Sequence, residues 1–566
     1  MKKIFALLLA AVMVLGLFAC APSGGPSNNS NNPNSGNNGD ENVEVDLTPI
    51  VFPLAEQETL VIAIQASEGV DDLNRKLAAN VFWQDILNAT NVKVEFKNWN
   101  VNNIASLFQT GDMGDLIING ASGNDTLFQG FIAQDLLIPI EQYIDSKDIM
   151  PNAHKYMFEE MPEARGAFTA ADGHIYAMGA FDQEKSRYVE SFMWINKAWL
   201  DKANLPVPTN FEEFETALEY FNTHDMNGNS IDDEIPLWAS NPANYGVENY
   251  LGMWGIATKD GTFENYVHLD DDTVYFAPSL EIWKDFIKKM NEWFEAGILY
   301  EGVFTDTNAS TATDKWKATA KGEVRCGVVL ATNQAEIRGG DQYVCLTPFK
   351  AQENVEEVRW YINPMYMGGK NIFSVPKGSS NPKLACAFMD LFYTPENTIR
   401  ALYGEADSIW RDTKADGTFT VKVPSVNDQE AVKFTAGNCF DKVTWGHINF
   451  PYAKGTEFYA KFQWSEVNDS TRNAFAQYQE ADVINKQVWP RPYFTDDGNE
   501  ALLELRADIF KLVEKKRGEW IQGEKDIDAE WEDFLDDLDA SEVEELVDAM
   551  QEAYDVWKAG VDKVAD

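Results

Sequence analysis

The chain has 566 residues, too many for one core, so two or more domains are expected. Its apolar fraction of 45% and charged fraction of 24% are those of an ordinary globular protein able to bury a sizeable core. The net charge of −45 argues against nucleic acid as a partner, because an acidic surface repels phosphate backbones, and it weakly disfavours polyanionic sugars.

In chain order, residues 1–19 read as an export signal. Lys2 and Lys3 precede an apolar run from Ile4 to Phe18, which is too short for a comfortable membrane span. Leu17-Phe18-Ala19-Cys20 then resembles the bacterial lipobox, which implies acylation of the Cys20 thiol (palmitate is one such acyl group) and a mature chain beginning there. Cleavage removes Lys2 and Lys3 and takes the charge from −45 to −47. From Ala21 to Asp40 the chain is almost entirely Pro, Ser, Gly and Asn. Such a stretch buries too little surface to offset its ordering entropy, so residues 20–50 are expected to be a disordered, lipid-anchored tether. No later run is long and apolar enough to span a bilayer, so nothing else is expected to cross the membrane, and the lipobox resemblance implies a location on the extracellular face of the cytoplasmic membrane.

The body alternates short apolar runs with amphipathic segments. Strands are expected at Leu60–Ile64, Val92–Phe96 and Leu116–Ile118, with a helix over Asn80–Asn88 between the first two. This alternation implies βαβ units and a mainly parallel α/β sheet, whose ligands bind beyond the carboxyl ends of the strands, where Asn119 would sit. Thr209 and Glu212 read as a capping box opening a helix with Phe211, Phe214, Leu218 and Phe221 on one face. That helix runs into Asp225-Met226-Asn227-Gly228-Asn229-Ser230-Ile231-Asp232-Asp233-Glu234. Side-chain oxygens of Asp225, Asn227, Asn229, Asp233 and Glu234, with the Ile231 carbonyl, offer the alternating hard ligands that suit a structural Ca²⁺. It is not a standard EF-hand: glycine falls at the fourth position rather than the sixth, and Pro236 stands at the twelfth.

Sugars present flat C–H faces that stack on aromatic rings. Trp254, Trp360, Tyr366, Trp410 and Trp445 fall in loops or segment ends and are candidate ligand contacts, whereas Trp83, Trp194 and Trp199 read as core. Besides Cys20, the cysteines are Cys326, Cys345, Cys386 and Cys439, with no CxxC pair to suggest zinc. Four buried thiols are expected, although Cys326 and Cys345 lie in strands that could be neighbours. The sequence contains no H-E-x-x-H, G-x-S-x-G or P-loop motif, and nothing singles out two of its 91 carboxylates as a glycosidase pair.

Several segments together carry a family resemblance. They are Phe52-Pro53-Leu54 before a strand; Thr90-Asn91-Val92-Lys93-Val94-Glu95-Phe96; the Gly-Asp-x-x-Asp-Leu-Ile turn over 111–117; Asp172-Gly173-His174-Ile175-Tyr176-Ala177-Met178; Trp194 to Lys202; and the tail Glu514 to Trp531. In this order they resemble the Gram-positive lipoprotein subgroup of extracellular solute-binding proteins of sugar transporters. Two departures stand out: Asn196 replaces the usual Arg, and Tyr403-Gly404-Glu405-Ala406-Asp407 replaces a glycine-rich run. The resemblance implies a type II periplasmic-binding-protein-like fold of two α/β lobes joined by several crossings. Residues 51–190 with 370–405 would form the first lobe, and 191–369 with 406–566 the second, ending in helices. The first crossing is expected at Ser191–Ile195, the return at Asn371–Val375, and a third near 405–410. The same family carries calcium loops of the form seen at 225–234. The implied function is a non-enzymatic, monomeric binding lipoprotein that captures a mono- or oligosaccharide and delivers it to the permease of an ABC importer. The alternative is a secreted carbohydrate-active enzyme or a sugar-binding surface lipoprotein without a transporter.

Overall fold

The computed structural model describes residues 45–64, 70–99, 103–118, 125–189, 191–240, 246–258, 266–305, 312, 323–363, 370–406, 411–421, 451–464, 466–490 and 492–564. Residues Asp46–Asp566 form one unit, separate from Met1–Val45. Cys20, the tether as far as residue 44, Asn119, Tyr366, Trp410, Cys439 and Trp445 lie outside the described residues, whereas Asp46 and Thr48, expected in the tether, accept from Lys383 Nζ at 2.5 and 2.9 Å.

The first sheet has the order β2-β1-β3-β12-β4. Its strands are β1 (Glu58–Ile64), β2 (Val92–Asn98), β3 (Leu116–Ile118), β12 (Phe373–Ser374) and β4 (Ala177–Met178). β1 pairs in parallel with β2 and β3, while β12 runs antiparallel to β3 and β4. Sequence and position agree. Edge strand β2 buries Val92, Val94 and Phe96 and exposes Lys93 and Glu95, whereas central β3, Leu-Ile-Ile, is buried throughout. The helix Val81–Thr90 is closed at both ends: the Asn80 side chain accepts from Trp83 N at 3.1 Å, and Asn91 ends it in the left-handed region at φ 57°. Its buried face is Phe82, Trp83 and Ile86.

The second sheet has the order β11-β6-β10-β7, from β6 (Phe192–Asn196), β7 (Ile235–Leu237), β10 (Cys326–Ala331) and β11 (Tyr343–Cys345). β10 is antiparallel to β6 and parallel to β7. Because β6 separates β10 from β11, Cys326 and Cys345 stand two strands apart. At about 4.8 Å per strand that is roughly 10 Å, beyond disulfide reach. Neither forms a disulfide, nor does Cys386, and burial pushes the Cys345 thiol up to about 12. The hairpin β8 (Val267–Asp270) with β9 (Thr273–Phe276) and the helices Glu281–Glu295, Asp496–Ile521, Ile527–Ala540 and Val543–Asp562 cover this lobe, and Val543–Asp562 also packs on the helix Glu163–Phe168 of the first. Their core is aromatic: Trp283 stacks on Trp531 and Phe534, both with centroids at 6.3 Å, and Trp520 meets Phe534 edge-on at 5.1 Å.

One assignment is corrected. Among the described residues, 411–421 and 451–463, expected with the second lobe, pack with elements of the first. β15 (Ala453–Lys454) pairs with β5 (Phe181–Asp182), and β13 (Arg411–Thr413), β14 (Phe419–Val421) and β16 (Phe462–Gln463) form a small sheet. Phe419 and Phe458 bury themselves with Ile399 of the helix Pro395–Tyr403. The chain therefore passes to the second sheet after β16 rather than at 405–410, and the helix Glu466–Glu480 docks there through Tyr478, whose hydroxyl donates to Leu346 O at 2.9 Å.

Candidate functional site

Strand direction determines which edges of the two sheets face each other. The first crossing delivers the chain to the amino end of β6. Because β6 is antiparallel to β10, that end lies at the carboxyl ends of β10 and β7. The return crossing enters the amino end of β12, which lies at the carboxyl end of antiparallel β3. Both crossings thus join carboxyl edge to carboxyl edge, and the cleft between the lobes is bounded by the ends of parallel strands, where α/β sheets bind ligands. The crossings pair with one another along its floor. Asn363 N donates to Tyr188 O at 3.0 Å, Trp360 N to Val483 O at 2.7 Å, and Asn485 N to Trp360 O at 2.9 Å.

Polar groups gather at these edges. On the second sheet, Ser191 Oγ donates to Asn249 Oδ1 at 3.2 Å, and Asn333 Nδ2 donates to Glu336 Oε1 at 3.2 Å. On the first, the Tyr493 hydroxyl donates to Asn371 Oδ1, and the Lys370 ammonium lies 4.3 Å from the Tyr493 ring centroid. Beside the crossings a cavity of about 350 Å³ is lined by Glu160, Asp182, Lys185, Lys486, Pro490 and Trp557; none of these belongs to either edge.

Two of the aromatic candidates are buried in this structure. Trp254 is 3% exposed and packs edge-on against Phe211 at 5.7 Å and Phe286 at 5.1 Å. The whole turn Val247–Trp254 is buried with it. Trp360 is 2% exposed, donates Nε1 to Ser191 O at 2.8 Å and meets Tyr478 at 5.7 Å, so it fastens the crossings together.

The acidic loop folds as a tight turn between the helix Phe211–Thr223 and β7. That helix is capped one residue later than expected: Asn210 Oδ1 accepts from Glu213 N at 2.9 Å, while Glu213 Oε2 accepts from Thr209 N at 2.8 Å. Within the loop Asp225 accepts from Gly228 N at 2.6 Å and Ser230 N at 2.9 Å. The Ser230 and Gly228 amides and the Lys202 charge hold its carboxyl below the usual range. Asn227 Oδ1 and Asn229 Oδ1 accept from Asn229 N at 3.0 Å and Ile231 N at 2.7 Å. Asn227 Nδ2 donates to Asp233 Oδ1 at 2.9 Å, and Glu234 Oε1 accepts from Met226 N at 2.7 Å. Among the described residues no three acidic, imidazole or thiol groups converge as a metal cluster. The donor set is nevertheless all hard oxygen — three carboxylates, two amides and the Ile231 carbonyl — and fits Ca²⁺.

These features define a type II solute-binding fold, and the chain belongs to the family of bacterial extracellular solute-binding proteins, whose model matches residues 83–410. It is 24% identical over 526 residues to the fructooligosaccharide ABC transporter substrate-binding protein FusA of Streptococcus pneumoniae, covering 91% of this chain and 93% of that one. Among solved structures it is similar to an HMO-binding ABC-transporter-associated solute-binding protein from Bifidobacterium longum infantis (TM-score 0.69, 20% identity, 89% and 99% of the two chains). It is also similar to an EF-hand mutant of FusA in complex with fructo-nystose (TM-score 0.60, 21% identity, 89% and 100%).

Proposed function

We propose that this chain is the extracellular binding lipoprotein of an ABC importer, capturing an oligosaccharide between its lobes and presenting it to the permease. The observation that carries this reading is the match, over 91% of this chain, to a fructooligosaccharide ABC transporter substrate-binding protein. The facing carboxyl edges support it, since a ligand held there touches both lobes at once and its contacts favour the closed state over the open one. The role is that of a monomeric binding protein, not an enzyme. Cys20 is its lipid anchor after export, and the segment from Cys20 to residue 44 is its tether. The 225–234 loop is a structural calcium site, held by Asp225, Asn227, Asn229, Ile231, Asp233 and Glu234. When bound, the ion would supply positive charge that holds these oxygens together. The matched relative known as an EF-hand mutant supports this part of the reading.

The test is a thermal-shift screen of the purified mature protein against fructo-, malto-, xylo-, manno- and galacto-oligosaccharides. A sugar at a hundred times its dissociation constant adds about 2.7 kcal/mol to stability and raises the melting temperature. No shift with any of these sugars would refute the sugar-binding reading.

A further inference from the structure

Two buried polar atoms at the second sheet's cleft edge are left over by the fold. Ser240 is 0% exposed and Asn333 9%, yet Ser240 Oγ and Asn333 Oδ1 have no hydrogen-bond partner among the described residues. A buried polar group without a partner opposes folding, so in native proteins it calls for a specific reason.

Their placement supplies one. Ser240 lies three residues beyond the end of β7 and Asn333 two residues beyond the end of β10. These strands are parallel neighbours, with Cys326 opposite Ile235 and Val328 opposite Leu237. Both residues therefore stand just past the carboxyl ends of adjacent strands, on the edge that the crossings turn toward the first sheet. Asn333 is also oriented: its Nδ2 is engaged by Glu336, whose other oxygen accepts from Thr332 N at 3.3 Å, so the amide oxygen is the side left over.

We propose that Ser240 and Asn333 are specificity-determining ligand residues, which hydrogen-bond hydroxyl groups of the bound sugar. This rests on the sugar-binding reading and names where the second lobe reads its ligand. The chemistry matches. Asn333 Oδ1 is an acceptor and needs a donor, and Ser240 Oγ both donates and accepts. A carbohydrate hydroxyl does both and satisfies either atom, whereas an apolar solute satisfies neither. A site built to hydrogen-bond a hydroxyl also discriminates strongly against a ligand that lacks it, because the site's own polar atoms are then left unpaired.

The experiment compares Ser240→Ala and Asn333→Ala with the wild type by calorimetric titration, using the oligosaccharide that gives the largest shift in the screen above, alongside unliganded melting curves. Each variant should lose about tenfold in affinity. Ser240→Ala should melt no lower than the wild type, because it removes a hydroxyl the unliganded fold leaves unpaired. Unchanged affinity in Ser240→Ala and Asn333→Ala overturns the proposal and leaves the sugar-binding reading standing. If Asn333→Ala loses stability as well, Ser240→Ala decides: weaker binding on an unchanged melting curve supports the proposal, and unchanged binding overturns it. If no sugar binds the wild type, the sugar-binding reading falls and this assignment falls with it.

Discussion

At Asp390 the fold buries a carboxylate to cap a distant helix. The side chain accepts from Ala153 N at 2.7 Å and Asn152 N at 3.0 Å, the first turn of the helix Pro151–Lys155. Burial outweighs these bonds and raises its pKa from 3.8 to about 6. The sign follows from which form the fold prefers. The protonated acid is favoured, so this group's contribution is full below pH 3.8 and is lost as pH rises through 6. The gap corresponds to roughly 3 kcal/mol. Asp390→Asn keeps a carbonyl oxygen for the Ala153 amide and cannot ionise. Urea unfolding at pH 4 and pH 7 should therefore show a smaller loss of stability in Asp390→Asn than in the wild type, and parallel pH profiles would refute the burial argument. Glu248 and Arg517, by contrast, are paired at 2.6 Å in the core. Cys20 carries a different expectation. Cys20→Ser should release the protein from membranes, since Cys20 is the attachment residue that the lipobox resemblance marks. Retention of the variant in membranes after a high-salt wash would refute lipid anchoring.

At the scale of elements, the acidic loop joins a helix to β7, and β7 leads to Ser240 at the cleft edge. Arg325, just before β10, donates Nε to Asp233 O at 2.9 Å, so the loop is tied to both parallel strands. Chelation should lower the melting temperature by about 2–5 °C. Asp225→Ala with Asp233→Ala should abolish that sensitivity; an unchanged curve in chelator would refute a bound calcium. How far these elements were legible depended on local signal. β1, β2 and β3 were readable because apolar runs and period-two alternation fix a strand and its buried face. The cap moved from Thr209 to Asn210 because both are good caps and Glu212 and Glu213 both lie within reach. The third crossing was misplaced because β13 to β16 are two or three residues long, too short for any period to show. Whether Cys326 and Cys345 were neighbours stayed open because sequence shows strands and not their order. Trp254 was taken for a cleft ring because Tyr250-Leu251-Gly252-Met253-Trp254 reads as a segment end, and the fold buries every residue of it. Ser240 and Asn333 carried no signal, since a lone polar residue after an apolar run stands out only once its missing partner is seen.

For the whole molecule the question is where two lobes pivot. The crossings are laterally bonded chain segments, and Trp360 sits at their centre, with its amide on Val483, its carbonyl on Asn485 and its indole on Ser191. A ribbon bonded this way bends more readily than it shears, because bending keeps these bonds while sliding breaks several together. Closure should then be a hinge rotation that brings the carboxyl edges together over the ligand. Trp360→Phe keeps most of the packing but removes the donor to Ser191, costing about 1 kcal/mol of stability. The cost should fall on closure more than on folding, since the lost bond joins the first crossing to the return. Small-angle scattering with and without bound oligosaccharide checks both statements. The wild type should become more compact on binding, and Trp360→Phe should bind more weakly and compact less at equal saturation. If the wild type shows no change in radius of gyration at saturating sugar, the hinge is refuted. If Trp360→Phe compacts fully with unchanged affinity, the pivot lies elsewhere in the crossings, and the cavity lined by Lys185, Lys486 and Trp557 is the next place to put a probe.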